Sequence, residues 1–419
     1  MLTGWFGRLG SVKGAQEKAQ DLISEALSKF KSQGGRERAS EAQYELGVCY
    51  WRLGAYDEAR VLMREALKPL SDADVELKAK ILIRRTIVEL CENKFYEALK
   101  ILEEARPVFD AADDALKGRW HGQMGLVLAR LADAEGDTSY TDRAVIEFTA
   151  AIYHYEQAGH ERYCATNRNN VAMLLYRLGR YRDAHEQLDR AGATLRRLKD
   201  EGLLAQVDET RARVFLAERK YAEADRVITR AVLTLEKGGA SAYLSDALTV
   251  QGVARARLGA GEESINLLRR AMSVAEQAGA FTNAGLAALA LIEEHGARRV
   301  LARAELYHLY LRAERLLKGT QDAEDKERLL ACAGIVMRRL ADVNLRDKNF
   351  SFYSAVQEFE EKIIERALAE AGGSVTGAAK LLGLKHQTLI SMLKKRHRAL
   401  QVKRTPPERR LKSIVKKGA

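Results

Sequence analysis

Proline is scarce in this chain, with four in 419 residues, and no segment has the alternating pattern of a strand. Helix interiors exclude proline, whereas Ala, Leu, Glu, Lys and Arg, which are abundant here, favour helices. The sequence also lacks any run of about 18 apolar residues that would span a membrane. Its first ten residues, MLTGWFGRLG, are too short and too interrupted for a secretory signal. We therefore expect an all-α protein of the cytoplasm with no membrane partner.

Cysteine and histidine are too few and too scattered to predict a metal site. The four cysteines lie far apart with no CxxC spacing, and the eight histidines include no i, i+4 pair of the helical metal-site type. The chain also contains no GxxxxGK[ST], HExxH or GxSxG motif. We expect no metal, no cofactor and no enzymatic activity, and we interpret the cysteines as small buried apolar residues.

Acidic residues are nearly absent from the end of the chain. From Lys385 onward there are 12 lysines and arginines and one acid, Glu408, so this segment alone carries the formal net charge of the whole chain, +11. Such asymmetry is typical of a segment that meets a polyanion. A tail that only keeps the protein in solution is the alternative interpretation.

The preceding sequence repeats at intervals of 39 to 46 residues, most often 40. In each copy a small residue is followed by a large apolar residue four positions later and usually by alanine at the seventh. These spacings share one face of a helix, and the small residues permit close helix contact. The first small positions are Ala19, Ala59, Ala98, Ala144, Ala184, Ala224, Ser264 and Ala304. We predict the second helix of a repeated helix pair at each, with the last copy diverging at His308 and Leu311.

A second set of marks precedes these positions. A small residue stands twelve before the first alanine at Gly47, Ala172, Ala212 and Gly252, and an aromatic residue stands three before it at Tyr56, Phe95, Tyr181 and Tyr221. In this pattern residues 15 to 318 resemble the tetratricopeptide repeat family, with a helix at 321 to 341 as a cap. The resemblance implies an α-solenoid, a right-handed superhelix of helix pairs with a period longer than the family's usual length of about 34 residues. The apolar residues predicted for the cap are Leu329, Ala333, Val336, Met337 and Leu340.

In such a superhelix the first helix of each pair lines the concave surface. The resemblance places there Trp51, Arg52, Gln123, Arg130, Asn170, Thr210, Arg177, Arg213 and Arg257. Asn170, in the run NNVAMLLY, is similar to the asparagine with which peptide-binding members hold an extended backbone, since an amide both donates and accepts. We expect a protein or peptide ligand in this groove. The arginines would favour an acidic partner, and a merely solvated polar face is the alternative.

A different pattern begins after residue 351. An amphipathic helix is predicted from about Phe352 to Ala371. Its apolar face comprises Val356, Phe359, Ile363, Ala367 and Leu368. Two glycines end this helix, and Ser374 begins the next as its N-cap.

The stretch SVTGAAKLLGLKHQTLISMLKK, from Ser374 to Lys395, has the spacing of a helix-turn-helix. Ala379 supplies the small residue where two helices cross, Gly383 tolerates positive φ in the turn, and Leu389 and Met392 anchor the second helix. This module resembles the Fis-type DNA-binding domain, which also ends many bacterial activators. The sequence departs from that family, where basic residues are usual, at His386, Ile390, Ser391 and Met392.

In the Fis-type fold the second helix enters the major groove of DNA. The resemblance assigns contacts to Lys385, His386, Gln387, Thr388, Ser391, Lys394 and Lys395, and the basic tail adds Arg404, Arg409 and Arg410. Gln387 suits adenine and Lys385 suits guanine or a phosphate, whereas Thr388, Lys394 and Lys395 suit phosphates. A purely structural or dimerising module, or one that binds RNA or another polyanion, remains an alternative.

These predictions divide the chain into an N-terminal segment (1–14), the solenoid (15–341), a linker (342–351), a helix-turn-helix domain (352–400) and a basic disordered tail (401–419). They favour a bacterial, nucleoid-associated transcriptional regulator whose superhelix binds a protein or peptide. The predicted partners are DNA, the groove ligand and, in a homodimer, a second copy of the chain. The alternative is a scaffold protein that its basic C terminus tethers to nucleic acid without sequence preference.

Overall fold

The structure, a computed structural model, describes residues 9–239, 241–298, 300–341 and 351–403. These residues form twenty α-helices and one 3-10 helix, and no strand occurs among them, so the all-α prediction is confirmed. The helices are α1 (Leu9–Ser32), α2 (Arg36–Arg52), α3 (Tyr56–Leu67), α4 (Val75–Cys91), α5 (Phe95–Glu104), α6 (Arg106–Asp110), α7 (Asp114–Glu135), α8 (Thr138–Gln157), α9 (Glu161–Arg177), α10 (Tyr181–Arg197), α11 (Glu201–Ala217), α12 (Tyr221–Gly238), α13 (Ser241–Arg257), α14 (Gly261–Gln277), α15 (Phe281–His295), α16 (Arg303–Leu316), α17 (Ala323–Ala341), α18 (Phe352–Glu370), α19 (Val375–Leu381) and α20 (His386–Lys395), followed by the 3-10 helix (Arg398–Lys403). The chain divides into two compact units, Met1–Arg339 and Leu340–Ala419.

Antiparallel helix pairs build the first unit, and each pair packs against the next. In α3 the predicted stripe of Ala59, Met63 and Ala66 is wholly inaccessible to solvent. The first small residue of the stripe is likewise wholly buried in α5, α8, α10, α12 and α14, at Ala98, Ala144, Ala184, Ala224 and Ser264. The repeated stripe therefore faces the core of the solenoid, as the periodicity predicts.

Small residues in the first helix of a pair let the large apolar residue of the second helix approach the backbone. A Cβ at Gly252 of α13 would lie 2.6 Å from Cγ of Leu268 in α14, and one at Gly125 of α7 would lie 2.9 Å from the ring of Phe148 in α8. Real carbon atoms do not approach so closely, and the core is close-packed at these points. Glycine at these positions is thus a packing requirement of the helix pair.

The eighth copy of the repeat does not follow the 40-residue extrapolation. Ala304 and His308 of α16 are exposed, and the buried residues are instead Leu306, Leu309 and Ala313. Leu306 and Ala313 keep the seven-residue spacing of the stripe, so the buried face is displaced by two residues along the chain. The prediction of a helix is right here, while the predicted face is wrong.

The two ends of the solenoid also differ from the prediction. Helix α1 already begins at Leu9, so residues 9–14 are helical and do not form a separate segment. In α17 Val336 is buried, whereas Met337, which was predicted on the same face, is 63% exposed. Successive residues of a helix point about 100° apart, so both cannot face one neighbouring helix.

The cysteines are packing residues. Cys49, Cys164 and Cys332 are buried and Cys91 is half-buried, and all four are free thiols. Burial raises the pKa of Cys332 to about 12, which keeps the thiol protonated and unreactive. Within the described ranges no group of three or more His, Cys, Asp or Glu side chains is placed to hold a metal ion.

The second unit is a small bundle of α18, α19, α20 and the 3-10 helix. Its core is formed by Ile364, Ala367, Leu368, Ala378, Ala379, Leu389, Leu393 and Leu400. Ala367 and Leu368 are buried as predicted, but Val356, Phe359 and Ile363 of α18 are 38%, 61% and 41% exposed. The shared apolar face predicted for α18 is therefore wrong, because the short bundle covers only the stripe that contains Ile364.

Candidate nucleic-acid interface and groove

A sharp turn orients the two helices of the helix-turn-helix. The Ser374 hydroxyl accepts a hydrogen bond from the Gly377 amide at 3.2 Å and so caps α19, as the sequence predicts. Gly383 follows α19 with φ of +64°, and a Cβ there would meet nothing within 4 Å. The turn thus requires glycine for its backbone conformation and not for space.

Helix α20 has one buried and one exposed face. Leu389 and Leu393 are wholly buried against the bundle. The exposed residues are Lys385, His386, Gln387, Thr388, Ser391, Lys394 and Lys395. Seven of the ten residues predicted to contact DNA are therefore exposed on the second helix and its N-cap. Arg404, Arg409 and Arg410 lie outside the described residues.

The lysines on this side carry uncompensated charge. Lys385, Lys394 and Lys395 have no acidic partner among the residues that the structure describes. Neither does Lys380, in the last turn of α19, which was not among the predicted contacts and follows the buried residues Ala378 and Ala379. The alternation of buried alanines and an exposed lysine was the signal that could have identified Lys380. Four free ammonium groups near one helix favour an anionic partner.

Most of the arginines predicted for the groove are already paired. Arg130 of α7 lies 3.7 Å from Asp133, and Arg177 of α9 pairs with the same carboxylate. Burial raises the pKa of Asp133, although Arg177 and Arg130 act to lower it. Arg257 of α13 donates to Glu294 of α15 at 2.7 and 3.0 Å. These pairs leave the groove arginines little free charge for an acidic ligand.

A second polar cluster joins α11, α13 and α15. Arg213 pairs with Glu209, and Asp246 accepts a hydrogen bond from the Asn283 amide at 2.9 Å. Burial raises the pKa of Asp246 to about 7, against the lowering effect of Arg213. Arg213 is thus a member of an internal network in which acids outnumber it. Arg52 is exposed at the end of α2.

Amide side chains, in contrast, have unused hydrogen-bonding capacity. Asn170 of α9 is half-buried and forms no side-chain hydrogen bond among the described residues. The Nε2 atom of Gln123 and the Oδ1 atom of Asn169 are buried without a partner in the same part of the chain. Asn169 stands beside the predicted Asn170 but was not selected as a site residue. A buried amide atom without a hydrogen-bond partner costs free energy.

Two family patterns match parts of the chain. The family described as bacterial regulatory protein, Fis family, matches residues 355–395, and the tetratricopeptide repeat matches residues 165–198. No curated protein sequence matches the chain. Among the helices that the structure describes, none combines the length and apolar character needed to cross a bilayer.

Solved structures share the fold of the solenoid at low sequence identity. The apo form of RapI is 15% identical, covers 70% of this chain with 99% of its own length, and superimposes with a TM-score of 0.50. The protein PH0952 from Pyrococcus horikoshii, a signal transduction ATPase with numerous domains and a tetratricopeptide repeat sensor, is 13% identical with a TM-score of 0.53. That match covers 77% of this chain and 50% of PH0952.

The chain therefore contains a tetratricopeptide repeat within a helical solenoid and a C-terminal Fis-type helix-turn-helix. Both are families of regulation and interaction, and neither is enzymatic.

Proposed function

We propose that this protein is a bacterial transcriptional regulator that binds DNA through α20 and a protein or peptide through the first helices of its solenoid. The observation that carries the proposal is the exposed side of α20, where Lys385, Lys394 and Lys395 lack acidic partners while Leu389 and Leu393 anchor the helix from behind. A helix held in this way presents its N-terminal residues to the edges of base pairs.

The exposed side chains divide into two roles. Gln387 in the first turn of α20 has an amide that matches the donor and acceptor of adenine, and Lys385 can donate to guanine or to a phosphate. Lys394 and Lys395 at the other end of the helix hold phosphates and fix the register without reading sequence. Lys380 adds a further phosphate contact from α19.

The exposed stripe on α18 supports pairing of two copies. Tyr353, Val356, Phe359 and Ile363 recur at helical spacing, and all four are more than a third exposed. An apolar stripe of this kind is covered in most folded proteins, and a second copy of the chain supplies an identical stripe. Two such modules would bind half-sites about one helical turn of DNA, roughly 34 Å, apart.

The groove ligand that the chemistry favours is an extended peptide backbone. Asn170 of α9 is half-buried and forms no side-chain hydrogen bond among the described residues, whereas the predicted groove arginines Arg130 and Arg177 are engaged with Asp133. Amides bind a peptide's own amides whatever its charge. In the regulator, binding of this ligand changes the relative placement or the pairing of the two DNA-binding modules.

The first experiment is selection of duplexes from a random-sequence DNA library by the full-length protein. A regulator recovers a shared motif, and its affinity for that motif survives a rise in salt that removes binding to a scrambled duplex. Lys385→Ala and Gln387→Ala each reduce the preference for the motif, by about 1–3 kcal/mol for a bidentate base contact.

The control is Lys318→Ala, which removes an exposed charge from the solenoid. It should leave both affinities unchanged. If the wild-type protein selects no motif and releases every duplex at raised salt, the scaffold interpretation replaces the regulator. If no peptide from a library binds the protein with an affinity that Asn170→Ala lowers, the groove part of the proposal is wrong.

A further inference from the structure

The segment that follows α20 folds back onto α18. The 3-10 helix Arg398–Lys403 places Leu400, 3% exposed, in the core beside Ile364 and Leu368. The match to the Fis family ends at residue 395, so this returning segment lies beyond the region of family similarity. Its contacts with α18 and α20 are therefore a feature of this chain to be explained from its own residues.

Side chains satisfy the last carbonyl groups of α20. Gln357 Nε2 of α18 donates to the Arg396 carbonyl at 2.9 Å. From the returning segment, Gln401 Nε2 donates to the Leu393 carbonyl at 3.0 Å and Arg398 Nε donates to the Lys394 carbonyl at 3.1 Å. The last four carbonyls of a helix have no partner within it. Here the carbonyls of Leu393, Lys394 and Arg396 accept hydrogen bonds from side chains outside the helix.

Carboxylates of α18 hold the same segment by charge. Both oxygens of Glu360 lie 3.4 Å from Nη1 of Arg396, and Oε2 of Glu360 lies 3.2 Å from Nε2 of His397. The His397 side chain is wholly buried, and Glu360 is one-quarter exposed. One turn further along α18, Glu365 pairs with Lys403. The end of α20 is thus held by α18 through neutral and charged contacts together.

We propose that Gln357 and Glu360 are positioning residues, which hold the C-terminal end of α20 and fix the angle at which this helix enters DNA. We call these two residues and their contacts with Arg396 and His397 the clasp. The proposal rests on the proposed DNA-binding function. Lys394 and Lys395 are on the clasped turn, and Lys385 and Gln387 are at the opposite end of the ten-residue helix. A small rotation at the clasped end therefore displaces the base-reading end, whereas loose binding to phosphates tolerates it.

The clasp also limits nonspecific binding. Glu360 neutralises Arg396, which otherwise would add a cation beside Lys394 and Lys395. Replacement of Glu360 should therefore raise the affinity for any duplex and lower the preference for the selected duplex over a scrambled one. A residue with only a structural role would change both affinities in the same direction.

The test compares Glu360→Gln with the matched control Glu358→Gln in the full-length chain. Both changes remove one negative charge from α18, but Glu358 is exposed and has no ion-pair partner among the described residues. We expect the ratio of affinities for the selected and the scrambled duplex to fall roughly threefold to tenfold in Glu360→Gln and to stay unchanged in Glu358→Gln. Gln357→Ala, which alters no charge, should lower the ratio without strengthening binding to the scrambled duplex.

Hydrogen exchange distinguishes failure of the clasp from failure of the proposed function. The amides of Arg396 and His397 donate to the Met392 carbonyl at 2.9 and 3.0 Å. They should exchange faster in Glu360→Gln and Gln357→Ala than in Glu358→Gln, with no DNA present. Wild-type protein without any sequence preference would overturn the proposed function. Unchanged exchange, or an unchanged affinity ratio in a wild type that has a preference, would overturn the clasp.

Discussion

The hydroxyl of Ser264 in α14 lies 2.8 Å from Nε2 of His295 in α15, and both residues are almost wholly buried. Ser264 stands where the second to sixth copies of the repeat have alanine. The hydroxyl is therefore explained by its partner in the next helix, since a buried imidazole nitrogen needs a hydrogen bond. The other ring nitrogen, Nδ1, is buried without a partner among the described residues.

Removing this hydroxyl should destabilise the solenoid. Ser264→Ala leaves Nε2 of His295 unsatisfied as well, which costs about 1–3 kcal/mol of the free energy of unfolding. Urea unfolding followed by circular dichroism measures the change. Ser273→Ala on the exposed side of the same helix is the control and should have little effect. Equal stability of the two variants would show that the buried bond contributes nothing.

Acid should weaken the same region. Burial lowers the pKa of His295, and Arg298 lowers it further. The unfolded chain therefore binds a proton at a higher pH than the folded chain, so this contribution to stability is complete above about pH 6.5 and is lost as the pH falls below it. We expect the unfolding free energy of His295→Gln to fall less between pH 7 and pH 5 than that of the wild type. Parallel curves would contradict the assignment.

Close packing in the helix pair predicts a different response at two glycines. Gly252→Ala forces a Cβ to within 2.6 Å of Leu268 and should cost about 1–3 kcal/mol through overpacking. Gly238→Ala, at the end of α12, meets nothing within 4 Å and has no positive φ, so it should be neutral or slightly stabilising. Melting temperatures of the two variants measure the difference, and a Gly252→Ala protein as stable as Gly238→Ala would contradict this packing.

The faces of most helices were predictable from the sequence, because burial imposes a helical period on every copy. The position of the turn at Gly383 was predictable because glycine tolerates the positive φ that the turn requires. The contact partners of side chains in neighbouring repeats were not predictable. Periodicity shows which face of a helix a residue occupies, but it does not show which residue lies opposite. Arg177 pairs with Asp133, 44 residues earlier, and Arg257 pairs with Glu294, 37 residues later. Arginines that were predicted to favour an acidic ligand are therefore already ion-paired.

The predicted buried faces are wrong where the regular array of repeats ends. The solenoid stripe shifts to Leu306 in α16, close to the end of the array. In α18 two apolar stripes run side by side, and a module of some fifty described residues can bury only one of them. The sequence contains both stripes, and it does not indicate which of them packs against the rest of the module.

The turn of the helix-turn-helix predicts a stability change with an identifiable cause. Gly383→Ala should destabilise the second unit by about 1–2 kcal/mol, because φ of +64° is unfavourable for alanine while space is available. Gly383→Asn should recover part of the loss, since asparagine tolerates this conformation better. Thermal unfolding of the three proteins gives the order Gly, Asn, Ala. An order that followed side-chain volume would mean that crowding controls the turn.

The most direct measurement of the central claim is a second selection from the random DNA library, carried out with Gln387→Ala beside the wild type. If α20 reads bases, the wild-type motif loses its preference at one or two positions of each half-site, while its length and spacing stay the same. If the two proteins recover the same motif, or neither recovers any, α20 does not read sequence in this protein.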